Sequence, residues 1–344
     1  MELRDMIAEL ASRGGPSGFE DGVFETASRL LAPVVDTVET DTLGSLIGLR
    51  RCGKKNAPTV MLDAHLDEVG LIVTGYEGGM LRFGSIGGVD ERILPACEVI
   101  LLTKAGPLRG VIDVLPPHVL SAGEREKPLS RDKLFIDAGF TSQEEAERSV
   151  PRGTPAVYAT PCFALGGHQL AGKSLDDRSC AAILIAAMEK LRDKELAVDV
   201  AVHLSSQEEV GGRGAQTGAY ATDPDYAVAV DVTFGRSPGT PPEKACKMNG
   251  GAAVGVGPAA SRAVSDKLIA LAEEKGIPYQ IEVMGGHSGT DADDIMTTRG
   301  GVATGVVSLP LKYMHTPVEV IDLRDAQATA ELLAAWVESF GEED

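Results

Sequence analysis

The 344-residue sequence predicts an α/β protein: a twisted mixed sheet with helices on both faces, interrupted by a small inserted β-rich unit. Three observations lead there. Four apolar runs read as buried strands: TVMLDAH (59–65), VAVHLSS (200–206), YAVAVD (226–231) and GVVSLPLKYMH (305–315). Between about Gly70 and Phe163 the texture changes to short strands separated by turn residues, with one helix at Ser142–Ser149. After Gly166 strand and helix alternate again, so the sheet resumes where the insertion ends. The expected division is residues 1–69 and 166–344 for the main unit and 70–165 for the insertion.

Taken in order, Leu3, Met6, Ile7 and Leu10 recur at helical spacing between charged residues, which makes a first amphipathic helix and leaves no continuous apolar core for a signal peptide. In GGPSGFE (14–20), Ser17 stands three residues before Glu20, the spacing of a capping box, and predicts a second helix to about Leu31. Two short strands follow within 34–51, around a turn at Asp41–Gly44, and then the first buried run. The insertion supplies GLIVTGYE, MLRFGSI, CEVILLT, LRGVIDVL, LFIDAG and AVYAT as strands. Beyond it come an Ala/Ile/Leu-rich helix at Ser179–Leu191, strands at 197–204 and 226–230, a helix at Arg262–Lys275, strands at 279–283 and 302–308, and a last helix over about 323–340. The Gly/Pro-rich stretches 235–257 and 285–290 read as loops.

Acidic residues number 51 against 32 basic, a net charge of −19, and no Lys/Arg cluster offsets it. Such a chain repels phosphate backbones, which argues against nucleic acid as a partner. No run approaches the roughly 20 apolar residues of a membrane helix, so neither does a membrane fit, and a cytoplasmic location is expected. The five cysteines include no C-x-x-C pair, and neither a disulfide framework nor a thiolate zinc site is indicated.

The buried runs end in chemistry. The first ends at His65 with Asp67 two residues on; the second runs into Glu208, Glu209 and a Gly-rich turn; the third ends at Asp231 and the fourth at His315. Ligands bind beyond the carboxyl ends of strands in an open α/β sheet, so these side chains share one place. Hydrolysing an amide near neutral pH needs a nucleophile stronger than water, which two divalent cations about 3.5–4 Å apart supply by acidifying a bridging water. His65 and His315 offer one imidazole each, Asp176 a bridge, and Glu209 and Asp231 the remaining ligands. Asp177 is an equal choice for the bridge on spacing alone, and both aspartates could instead be helix caps. Mixed N/O ligation suits Zn²⁺, with Co²⁺ or Mn²⁺ as alternatives. Glu208, not needed as a ligand, is placed as general base, and Asp67 as acceptor of the second His65 ring N–H. A lone buried histidine is more often core than ligand, so His203 and His168 are read as structural. His118 in PPHVL reads as a loop or oligomer contact, and His287 as a pocket residue.

The motifs HLDEVG (65–70), KSLDDRSC (173–180), QEEVGGRGA (207–215), AVDVT (229–233), GTDAD (289–293) and YMHTPVEV (313–320), with GGPSGFE, PPHVL (116–120) and LFIDAG, together resemble the M42 family of metallo-aminopeptidases over nearly the whole chain. The resemblance implies a zinc-exopeptidase-like fold with an inserted barrel-like or PDZ-like domain, and homo-oligomers in which dimers assemble into hollow dodecamers. It implies that His65 and Asp231 hold one metal and Glu209 and His315 the other, that Asp176 bridges both before a cis peptide to Asp177, that Glu208 is the base and that Asp67 backs His65. The expected activity is release of N-terminal residues from short peptides. Alternatives are another di-metal amide hydrolase of deacylase or carboxypeptidase type, then a glycanase, since some relatives carry an endoglucanase label, and last a non-catalytic scaffold. The chain departs from the family pattern at Lys312, at Gly44-Ser45 and in the extra His287.

Overall fold

Strands covered by helices on both faces have no solvent side on which to place polar residues, and so read as unbroken apolar runs. The computed structural model describes residues 1–121 and 130–341. The chain enters through helices α1 (Leu3–Ala11) and α2 (Asp21–Leu31) and strands β1 (Thr37–Thr40), β2 (Leu46–Arg50) and β3 (Thr59–His65). Then follow β4 (Gly70–Glu77), β5 (Met80–Ile86), β6 (Glu98–Thr103), β7 (Gly106–Ile112), β8 (Ile136–Asp137), helix α3 (Gln143–Ser149) and β9 (Pro155–Tyr158). It continues as β10 (Phe163–Leu165), β11 (Gln169–Gly172), α4 (Leu175–Leu191), β12 (Asp199–Ser205), α5 (Arg213–Thr222), β13 (Tyr226–Phe234) and β14 (Ala252–Val256). The last elements are α6 (Arg262–Lys275), β15 (Tyr279–Val283), the short α7 (Ala292–Ile295), β16 (Ala303–Lys312), β17 (Glu319–Asp322) and α8 (Leu323–Glu338).

The eleven-stranded sheet runs β1-β2-β12-β3-β13-β16-β17-β11-β10, with β14 also paired to β16 and β15 to β14. Its centre, β12-β3-β13-β16, is parallel, and antiparallel strands flank it, which makes the sheet mixed. Along β3, Val60, Leu62 and Ala64 enter the large core beneath α1, α2, α4, α6 and α8, while Met61 faces the smaller core under α5 and α7. The same alternation holds in β12 and β13: Val200, Val202, Val228 and Val230 on the first face, Ala201, Ala227 and Ala229 on the second. Each buried Val or Leu contributes roughly 1.5–3 kcal/mol, so the side-chain pattern fixes the register. A one-residue slip would turn His65 and Asp231 into the valine-rich core.

The second unit is a closed barrel, β4-β5-β8-β7-β6-β9, filled by Leu71, Val73, Leu81, Phe83, Val99, Leu101, Ile112 and Ile136. Closure removes the free edges that short strands otherwise expose. Helix α3 begins as its sequence suggests, with Ser142 Oγ accepting the Glu145 N–H at 3.2 Å.

Two expectations need correction, and one helix is additional to those expected. Ser17 and Glu20 form no capping box: Ser17 Oγ donates to Asp67 Oδ2 at 2.6 Å, and Glu20 accepts N–H bonds from Gly18 and Gln207. Tertiary partners there outcompete the helix terminus. The stretch 235–257 is not all loop, because its small residues Ala253 and Val254 pair with β16 as β14. Helix α5 was hidden by the two glycines and the threonines of RGAQTGAYAT, poor helix formers that tertiary packing overrides.

Candidate metal centre

Strand register does most of the assembly. Ser205 pairs with His65 across β12 and β3, and Ala229 with Asp63 across β13 and β3, so Asp231 emerges level with His65 and the turn after Ser205 begins beside it. That turn, Glu208–Val210, is a single 3-10 turn held by left-handed backbone at Gln207, Gly211 and Gly212. Glycine suits position 212, where φ is +59° and a Cβ would displace the Asp294 carboxylate. On the far side α4 begins irregularly: Asp176 and Asp177 have non-helical dihedrals and a cis bond joins them. Their carboxylates do not cap the helix: Asp176 faces the two imidazoles and Asp177 Oδ2 accepts the His65 N–H. His315 follows β16 in a turn where both it and Tyr313 have positive φ. Such strain concentrates where side chains must be aimed.

The outcome is a cage. Asp176 lies between the two imidazoles, Oδ1 3.2 Å from His65 Nε2 and Oδ2 3.2 Å from His315 Nε2. Glu209 Oε1 is 3.2 Å from His315 Nε2, and Asp231 Oδ1 and Glu208 Oε2 stand 4.0 and 3.9 Å from His65 Nε2. All six side chains line one open cavity of about 320 Å³, with Gly88, Val232, Gly289 and Met314. Asp177 also sits close, its Oδ2 accepting the His65 backbone N–H at 3.2 Å. Two overlapping triads, His65–Asp176–Glu209 and His65–Asp177–Asp231, have ligand atoms within 4.8 Å of one another.

A second layer aims these groups. Asp67, fully buried, accepts the backbone N–H of Glu208 (3.0 Å) and of Glu209 (3.2 Å) and the Ser17 hydroxyl, and its Oδ1 is 3.4 Å from His65 Nδ1. Its own carbonyl lies nearer that ring nitrogen, at 3.1 Å. Sequence reasoning missed Glu319, which is buried and accepts N–H bonds from His315 at 2.8 Å and Asp176 at 3.1 Å. An acid in the buried EVID strand was the available signal. A third group, Glu68, forms ion pairs with Lys173 Nζ (2.8 Å) and Arg178 (3.0 Å), tying β3 to the start of α4. His203 is structural, its Nδ1 2.5 Å from Asp63 Oδ1 inside the sheet, and His287 is exposed beside Asp293 rather than in the cavity.

Electrostatics test whether cations fit. Burial pushes Glu208 up to about 8, and Glu209 and Asp231 upward as well. Burial also works to raise Asp176, but the two imidazoles hold it well below the carboxylate range. Against burial, Asp176 and Glu209 drive His315 up to about 11, and Asp176 and Asp67 carry His65 upward too. The cage carries an excess of negative charge, with Asp176, Glu208, Glu209 and Asp231 against two imidazoles, and none of its lining residues is Lys or Arg. Buried carboxylates packed this closely are otherwise costly, and divalent cations with N/O ligands match the deficit.

Fold and cage together fit the class of metal-dependent hydrolases built on an α/β sheet. Residues 44–332 match the M42 glutamyl aminopeptidase family, and the chain belongs to it. It is 35% identical to a lysyl aminopeptidase of Pyrococcus furiosus over 97% of this chain and 96% of that one. Among solved structures, an aminopeptidase of the archaeon Desulfurococcus kamchatkensis superposes with a TM-score of 0.91 at 37% identity, covering 98% of this chain and 94% of that one. The Pyrococcus horikoshii TET1 peptidase, which can assemble into a tetrahedron or a large octahedral shell, superposes at 0.86 with 32% identity, covering 98% and 99%.

Proposed function

We propose that this chain removes N-terminal residues from short peptides with two divalent cations held by His65, Asp176, Glu209, Asp231 and His315. The observation that carries this reading is Asp176, whose two oxygens each lie 3.2 Å from a different imidazole, the placement a bridging carboxylate requires. His65 and Asp231 then serve one ion, Glu209 and His315 the other. When bound, the ions, Zn²⁺ or alternatively Co²⁺ or Mn²⁺, acidify water and polarise the scissile carbonyl. Glu208 takes the proton from the attacking water on its carboxylate and returns it to the leaving amine. Burial of its side chain favours the protonated state that the second step needs. Asp67 fixes the His65 ring and the Glu208–Glu209 backbone.

Glu208 and Glu209 share one turn, which does not favour glycoside cleavage, a reaction that sets carboxylates about 5–9.5 Å apart across a sugar. The deciding experiment compares peptides with free and acetylated N-termini on metal-loaded enzyme, alongside N-acyl amino acids and a polysaccharide. Cleavage of the free-amine peptide alone is expected. Equal cleavage of the blocked peptide would point instead to another amide hydrolase.

We further infer that residues 1–69 and 166–344 form the catalytic domain and that residues 70–165 mediate self-association. The barrel and its exit expose Val111, Val114, Leu115 and Val119, an apolar set that a partner subunit would cover. Light scattering on the purified protein is expected to give a dimer or a dodecamer. A monomer at micromolar concentration would remove this part of the reading.

A further inference from the structure

The two imidazoles of the cage are oriented by different parts of the molecule. His65 Nδ1 faces Asp67, on the same strand end of the sheet. His315 Nδ1 instead lies 2.9 Å from the carbonyl of Gly88, which belongs to the loop between β5 and β6 of the barrel. A ring nitrogen directed at a carbonyl must carry the proton, which leaves Nε2 as the lone-pair donor toward Asp176 and Glu209. The fit is close, because a Cβ on Gly88 would stand 3.0 Å from Nδ1 and 3.2 Å from Cε1 of the ring. Its neighbour Gly87, at φ +73°, abuts the other ligand on this side, with its added Cβ 3.2 Å from Glu209 Cβ and 3.3 Å from Glu209 O. Of these two consecutive glycines, Gly88 packs on His315 and Gly87 on Glu209 and Val69, whereas the His65 ring is faced by Asp67.

We propose that Gly88 is a positioning residue for one of the two cations: its carbonyl holds His315 with Nε2 toward Asp176 and Glu209, so that the barrel governs occupancy of that ion alone. The inference rests on the di-metal reading given above. Its consequence is that the inserted unit reaches into the metal centre through a backbone atom, so a substitution in the barrel changes one metal affinity and spares the other.

The test is metal titration of chelator-treated enzyme, wild type against Gly88→Ala, followed by calorimetry and by Co²⁺ absorption. Gly88 is not left-handed, so alanine probes the contact rather than the backbone. Gly84→Ala in β5 is the control, since its Cβ meets nothing closer than 3.5 Å. Wild type and the control are expected to bind two ions, and Gly88→Ala to bind one ion normally and the other about 10–100-fold more weakly. Equal weakening of both ions, or no weakening, overturns the proposal. A wild type that takes fewer than two ions removes the di-metal reading itself, a result distinguishable from either. Should Gly88→Ala fail to fold, histidine-selective ¹⁵N spectra of the loaded wild type answer the same question, feasible with six histidines in the chain. A protonated Nδ1 on His315 supports the assignment, and a metal-bound Nδ1 refutes it.

Discussion

The buried carboxylate of Asp67 accepts the backbone N–H of Glu208 at 3.0 Å, so the residue behind one histidine also sets the position of the proposed base. With Glu209 N–H at 3.2 Å and the Ser17 hydroxyl at 2.6 Å on the same carboxylate, one side chain ties three segments together. Asp67→Ala strands all three donors and is predicted to lower kcat/KM about 10–100-fold. Ser17→Ala removes one donor and should have a much smaller effect. The check is steady-state kinetics with metal content measured on the same samples; an Asp67→Ala enzyme of full activity would contradict the role.

Glu208→Gln keeps the shape and removes the base. Turnover is predicted to fall by roughly 10²–10⁴, the usual size of a general-base contribution, while both ions stay bound. Loss of the ions with the activity would make Glu208 a ligand instead.

The pH profile follows from the same residue. A base must be ionised to accept a proton, so kcat/KM declines as pH falls through its pKa. Burial sets Glu208 at about 8 in the metal-free fold, and adjacent divalent charge stabilises the ionised form. The acid limb of the loaded enzyme is therefore predicted to have its midpoint below 8, and a midpoint at or above 8 argues for a different titrating group.

Removing the ions leaves the carboxylates of the cage to repel one another. A ligand that binds only the folded state stabilises it by about 2.7 kcal/mol at 100 times its dissociation constant. Chelation is expected to lower Tm and abolish activity, with both restored by Zn²⁺, Co²⁺ or Mn²⁺ in differential scanning calorimetry and assay. An unchanged Tm after verified removal of the metal would count against a buried cage.

Glu68 is held by two cations, Lys173 and Arg178, all three almost fully buried. Truncating one member of a buried network leaves the others uncompensated, at about 3–5 kcal/mol. Glu68→Ala is predicted to lose stability on that scale in urea unfolding, whereas Arg82→Ala, at an exposed pair with Glu77, should change it by less than about 1 kcal/mol.

Much of the site was legible because its residues fall at or near the ends of buried apolar runs, where the apolar pattern and the acids or imidazoles meet within a few positions. His65, Glu208, Glu209, Asp231 and His315 were all visible in this way. Glu319 and Gly88 were not. Glu319 acts on backbone N–H groups of Asp176 and His315, and no spacing in the sequence records that its strand β17 lies beside them. Gly88 contributes only a carbonyl, a group every residue possesses.

By itself the sequence determined the layering of the fold, the β-rich unit inserted in it and which acids and imidazoles fall at the ends of the buried apolar runs, since burial period and residue chemistry are local properties. Tertiary structure alone decided that Asp176 stands between the imidazoles while Asp177 turns to the His65 backbone, that Ser17 serves Asp67 rather than a helix, and that the barrel touches His315. These are distances between segments from about 50 to 230 residues apart, set by strand register and packing, and no local pattern encodes them.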